Sequence, residues 1–356
     1  MKFRARTFFT PRWKQLLPLA LALIAVVAAS QVSAALDAEV AAQTNKFAHE
    51  QSPVETVDEL ILKDQKRNKE LPLKIYFPQT GVNYPVIVYS HGAGGSKDNY
   101  GPLGSDWASH GYVVIHTTHE DSIALQRAAG KVTAADAQGL QQMLLRMAGE
   151  PQAWESRARD VALVMDSLKE IEQRAPRLKG KLDRTRIGVG GHSFGAYTSQ
   201  LLGGATIEIG GQTRSFLDPR PQAFLLLSPQ GSGQQGLTKK SWEKFTRPLL
   251  VATGSNDRGA TGQTPAQKAE AFTLSPAGDK YLVFLEGAYH NLGGISGAQG
   301  GGLRLGPESA EQVSYLRTAS LAFWNAYLKQ DKQAKSWLQS DALQQTSNGA
   351  ARVTHR

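Results

Sequence analysis

Runs of continuous apolar residues constrain this chain more than any other feature. They occupy 84–90, 111–116, 223–228, 248–253 and the stretch between Lys280 and Glu286. None alternates apolar with polar side chains, so each reads as a strand buried on both faces. Helical periodicity separates them. Trp154, Ala158, Val161, Met165, Leu168 and Ile171 recur at spacings of three and four, as do Val313, Leu316, Ala319, Phe323 and Tyr327. Apolar strands alternating with amphipathic helices predict an α/β fold: a mostly parallel sheet with helices on both faces. Two earlier segments, 57–63 and 71–78, do alternate. They flank the charged run Lys63-Asp-Gln-Lys-Arg-Asn-Lys-Glu70, a pattern that predicts an antiparallel pair at the N-terminal sheet edge.

The first residues obey another logic. Lys2, Arg4, Arg6, Arg12 and Lys14 precede an uncharged apolar run over 16–29, and Val32-Ser33-Ala34 offers small residues for cleavage. Residues 1–34 therefore read as a secretory signal peptide, with an apolar run too short for a comfortable membrane span. The expectation is an exported, bacterial, periplasmic or secreted protein with no stable membrane anchor once that segment is cut. The charge then changes: of 40 basic and 31 acidic residues, five basic and no acidic ones fall in 1–34, leaving 35 against 31. With no arginine-rich stripe, a nucleic-acid partner is not expected. The absence of cysteine rules out disulfides and thiol chemistry. The remaining organisation reads as a lead-in over 35–56, one catalytic domain over 57–332, and a polar tail over 333–356 that frays.

Between 186 and 200 a short apolar strand runs into Gly191-His-Ser-Phe-Gly195 and then a helix. Such a turn pushes the serine hydroxyl above the sheet, and glycine two places to either side lets the backbones approach closely. Serine is a weak nucleophile until a base takes its proton, and the base needs a third group to fix its tautomer. Thr253-Gly-Ser-Asn-Asp257 and Gly287-Ala-Tyr-His290 leave the ends of buried strands and supply an acid and a base. Asp218 and Asp183 compete as acids, but Asp218 precedes its strand and lies at the wrong sheet end. The Gly-rich turn His91-Gly-Ala-Gly-Gly95 offers backbone N–H donors for a developing oxyanion, with Ala93 the expected donor beside the N–H of Phe194. His91 reads as a hydrogen-bonding support of that turn, and His192 as packing beside Ser193. His116, His119 and Asp121 suggest a rim or supporting role rather than a metal site. No metal and no organic cofactor are expected.

From Leu71 to Lys329 the chain resembles the α/β-hydrolase superfamily. It is similar there to serine esterases grouped with dienelactone hydrolases, platelet-activating-factor acetylhydrolases and cutinase-like polyesterases. Ser90-His-Gly-Ala-Gly-Gly95 and Gly191-His-Ser-Phe-Gly195 carry the likeness. The resemblance implies Ser193 as nucleophile, His290 as base, Asp257 as orienting acid and the Ala93 and Phe194 N–H groups as oxyanion donors. Gly92, His91, Gly191 and Gly195 would support them. It implies cleavage of small-molecule or polymeric carboxylic esters. Acyl transfer or perhydrolysis on the same site, polyester or lipid acyl hydrolysis, and a non-catalytic binding protein are the alternatives. The chain departs from each relative. Dienelactone hydrolases have cysteine at the Ser193 position. Acetylhydrolases place their acid where this chain has Ser228-Pro-Gln230, whereas the cutinase-like placement matches Asp257. No stretch is long enough for an independent lid. Cover could come from 117–151 and from the Gly-rich loop 293–306, which is expected to be mobile and to leave an open cleft.

Overall fold

The computed structural model describes residues 51–132, 137–258, 262–297 and 306–356. The expected signal peptide, most of the lead-in and the middle of the Gly-rich loop therefore lie outside the described residues. The described residues begin with two long strands, β1 (Val54–Asp64) and β2 (Lys69–Pro78), followed by β3 (Tyr84–Ser90), helix α1 (Gly101–Ser109) and β4 (Val113–Thr117). Four helices come next: α2 (Ile123–Ala128), α3 (Ala137–Gly149), α4 (Pro151–Asp166) and α5 (Leu168–Arg174). The helical periodicity from Trp154 to Ile171 is broken at Ser167, which leaves helical geometry at φ −96°. Strand β5 (Leu182–His192) leads into α6 (Phe194–Leu202), and a hairpin of β6 (Thr206–Ile209) and β7 (Gln212–Ser215) follows. Then come β8 (Pro221–Leu227), β9 (Leu249–Gly254), α7 (Pro265–Lys268), α8 (Glu270–Leu274), β10 (Lys280–Leu285) and α9 (Ala310–Leu328).

Among the described residues nine strands form one sheet in the order β1-β2-β4-β3-β5-β8-β9-β10-β11, the last being the C-terminal strand Ala351–His355. Strands β4, β3, β5, β8, β9 and β10 are parallel neighbours, and β1 and β2 form the expected antiparallel N-terminal edge. Burial follows the two-residue period of a strand. Val86, Val88, Phe224 and Leu226 pack on one face with Trp154 and Val161, while Ile87, Tyr89, Leu225 and Leu227 pack on the other with Trp107 and Trp324. Because these strands run the same way, Ser90, His192, Leu227, Gly254 and Leu285 end at one sheet edge, where loops can converge.

The C-terminal segment corrects an expectation. Residues 333–356 do not fray; they form α10 (Lys332–Leu338), α11 (Ala342–Thr346) and β11 (Ala351–His355). Ala334, Leu338 and Leu343 are buried against the α9 side of the core, and β11 pairs antiparallel with β10 from Tyr281↔His355 to Leu285↔Ala351. The catalytic domain thus extends past its expected end at 332. A polar segment can do this because a helix of this length needs only Ala334, Trp337 and Leu338 on one face, and an edge strand buries only part of its surface.

Candidate active site

The backbone at Ser193 is forced into φ 52°, ψ −118°, a region that non-glycine residues seldom occupy. Two restraints hold it there. Its N–H donates to the Leu227 carbonyl at 2.9 Å, and its carbonyl accepts from the Tyr197 N–H at 2.9 Å. The flanking glycines are sterically required: a Cβ on Gly195 would lie 1.9 Å from the Ser90 carbonyl oxygen, and one on Gly191 2.4 Å from the Gly195 carbonyl carbon. The strain aims the hydroxyl out of the sheet, where Ser193 Oγ meets His290 Nε2 at 2.9 Å.

His290 follows β10, and its other ring nitrogen meets Asp257 Oδ1 at 2.9 Å. With Nδ1–H turned to a carboxylate, Nε2 is left as the acceptor for the serine proton. Asp257, fully buried beyond β9, also accepts from the Thr253 hydroxyl at 2.9 Å. Burial opposes its ionisation, but the His290 hydrogen bond and the Lys268 ammonium 3.9 Å away outweigh it and hold the carboxyl well below the usual carboxylate range. For His290 itself, burial and the Lys268 charge push the pKa below the ordinary 6.5, against the pull of Asp257. Rate should therefore fall on the acid side only below the ordinary histidine range, as His290 gains a proton. Replacing Lys268 with Met removes a nearby positive charge, so the acid limb of a kcat/KM profile should move to higher pH. A limb that stayed in place or moved down would refute that role for Lys268.

Two contacts escaped the sequence reading. Ser228, which stands at the end of β8 with φ 48°, puts its Oγ 2.6 Å from His290 Nδ1 and hydrogen-bonds Asp257 as well. The strand end that lacks a carboxylate therefore still contributes a hydroxyl to the same histidine. Tyr100 was missed because α1 carries no signal of proximity to Ser193. His192 Nε2 donates to the His290 carbonyl at 2.7 Å, so its Nδ1 accepts from the Tyr100 hydroxyl at 2.9 Å, whose oxygen in turn accepts the Gly92 N–H at 3.3 Å. This chain ties the Gly-rich turn to the His290 loop. It needs a neutral His192, and burial together with the His290 charge depresses that pKa to about 3.

The other candidates separate. Asp218 binds the backbone and guanidinium of Arg220, and Asp183 binds Thr185 and Arg186, so neither meets His290. His116 packs against the rings of Tyr76 and Tyr89, whereas His119 hydrogen-bonds Asp160 at 2.8 Å and Ser90 Oγ at 2.8 Å. Among the described residues no group of three or more His, Asp or Glu is arranged to hold a metal ion. Ser193, His290, Ala93 and Phe194 line a cavity of about 650 Å³, walled elsewhere by Leu144 and Leu145 of α3. The 117–151 segment thus supplies cover on one side.

Comparison with known proteins agrees with this architecture. A family model described as platelet-activating factor acetylhydrolase, isoform II, matches residues 55–207. Across 294 residues the chain is 26% identical to a platelet-activating factor acetylhydrolase of Cavia porcellus, covering 75% of this chain and 63% of the relative. A Bos taurus protein of that name is 28% identical over 141 residues, 34% of this chain and 32% of its own. A cutinase of Thermobifida alba is 26% identical over 216 residues, 61% of this chain and 56% of the relative. The chain has the α/β-hydrolase fold. It spans less than two thirds of the length of each of these relatives. The part of the chain matched by the family model runs from β1 through the elbow to β6, and so takes in the Gly-rich turn and Ser193 but not Asp257 or His290. No helix among its described residues is long and apolar enough to cross a membrane.

Proposed function

We propose that this α/β-hydrolase is an exported serine esterase that cleaves carboxylic esters through an acyl-enzyme. The observation that carries the reading is the hydrogen-bonded line from Ser193 Oγ through His290 to Asp257, each step 2.9 Å. Ser193 Oγ attacks the ester carbonyl carbon while His290 Nε2 takes the hydroxyl proton. Asp257 keeps the imidazole oriented and stabilises the imidazolium. The N–H groups of Ala93 and Phe194 receive the oxyanion. Collapse of the tetrahedral intermediate breaks the bond to the alkoxy oxygen, and His290 returns its proton to the departing alcohol. Water, deprotonated by the same nitrogen, then attacks the acyl-enzyme and releases the carboxylic acid. The names of the relatives, an acetylhydrolase and a cutinase, support ester substrates of small-molecule or polymeric kind. Export rests on the basic and apolar pattern of residues 1–34.

A fluorophosphonate probe tests the reading directly. It should attach to the wild-type protein at Ser193 and leave Ser193→Ala unmodified. A folded wild type that took up no label would favour a binding protein on this fold.

A further inference from the structure

Arg157 sits on α4 with only 2% of its surface exposed, on the same helix face as Trp154, Ala158 and Val161. Burying a guanidinium is costly, and pairing it with a carboxylate often does no more than break even against apolar packing. Stability alone is thus a weak reason for its place. Its contacts point elsewhere. Nε and Nη2 bind the two oxygens of Asp121 at 2.9 and 2.8 Å. Nη1 donates to the His91 carbonyl at 2.7 Å and Nη2 reaches the Gly92 carbonyl at 3.4 Å. The guanidinium carbon stands 4.2 Å from the centre of the Phe194 ring.

These partners converge on the two residues that supply the oxyanion donors. The Gly92 carbonyl belongs to the same peptide plane as the Ala93 N–H, and in a trans peptide the two point in opposite directions. Whatever fixes that carbonyl fixes the N–H. His91 assists: its Nε2 accepts the His119 N–H at 3.0 Å, so its Nδ1 carries the proton and donates to the Gly92 carbonyl at 2.6 Å. On the far side of Ala93, Asp121 Oδ2 accepts the Gly94 N–H at 3.0 Å. Both peptide planes flanking the Ala93 Cα are therefore held by one buried ion pair. The same guanidinium lies on the ring of Phe194, the residue carrying the second N–H.

We infer that Arg157 is a positioning residue that sets both oxyanion donors together, with Asp121 as its anchor. This rests on the serine-esterase reading of the site. Lysine cannot replace it, because an ammonium lacks the flat fork that reaches two carbonyls, a carboxylate and a ring face at once.

The test compares wild type, Arg157→Lys and Asp121→Asn on p-nitrophenyl butyrate, with melting curves for each. A trifluoromethyl ketone, which adds to the serine to give a tetrahedral oxyanion, is run as inhibitor. Arg157→Lys keeps a charge for Asp121. Its kcat should fall roughly 10- to 100-fold, somewhat less than the loss of a whole oxyanion donor, and KM should stay within about twofold. The ketone should weaken by a similar factor to kcat/KM. A folded Arg157→Lys with unchanged kcat and unchanged ketone affinity overturns the inference, as does a loss confined to KM or to melting temperature. If that variant does not fold, the isosteric Asp121→Asn decides: a several-fold loss in kcat at constant KM supports the inference, and an unchanged kcat overturns it. A wild type that turns over no ester and takes no fluorophosphonate label instead removes the reading beneath it.

Discussion

Asp257→Asn should lower kcat on a soluble ester by a factor on the order of 10³ to 10⁴ while the protein keeps its melting temperature within a few degrees. The amide can turn its NH₂ toward Nδ1 of His290 and stabilise the tautomer whose proton sits on Nε2, where Ser193 Oγ needs an acceptor. It also loses the charge that stabilises the imidazolium formed during attack. Ser228 Oγ, 2.6 Å from Nδ1, can still accept a hydrogen bond from Nδ1–H and so favour the productive tautomer, which is the reason to expect a loss short of a full triad deletion. The matched control is Asp218→Asn, whose carboxylate serves Arg220 at the opposite end of the sheet and should leave kcat unchanged. Full activity in Asp257→Asn with loss in the control would mean that another carboxylate orients the base.

Truncation after Gln330 should cost several kcal/mol and lower the melting temperature by about 10 °C or more, at roughly 2 to 4 °C per kcal/mol for a domain of this size. The deletion removes buried Ala334, Trp337, Leu338 and Leu343 and strips β11 from β10. It also turns β10 into an open edge of five unpaired positions, a template for aggregation. Calorimetry and light scattering on the purified truncated protein would measure both effects. A melting temperature unchanged within about 2 °C would show that the segment is an appendage.

Much of this molecule was legible because the information is local. A strand buried on both faces must be apolar at every position, so 84–90, 223–228 and 248–253 announce themselves without reference to any partner. Parallel strands joined by helices then bring their ends to one edge, which places Ser193, Asp257 and His290 together from chain order alone. The elbow is equally local: a strained serine between two glycines, each of which would clash with backbone if it carried a Cβ.

What sequence could not decide depends on partners far along the chain. Ser228 meets a histidine 62 residues away, and nothing in Ser-Pro-Gln distinguishes it from an ordinary strand-end hydroxyl. Arg157 betrays itself only as a charge on the apolar face of a helix; that it grips carbonyls 65 and 66 residues back follows from the packing of α4 against β3. Polarity in 333–356 suggested a frayed end because composition reports average exposure, whereas burial there depends on an unpaired β10 edge and on the apolar surface of α9 waiting beside it. Local pattern determined which residues could be strand, turn, nucleophile, acid and base. The tertiary structure decided which polar groups orient them, since a hydrogen bond of 2.6 to 3.0 Å requires an atomic placement that many distant sequence choices set jointly.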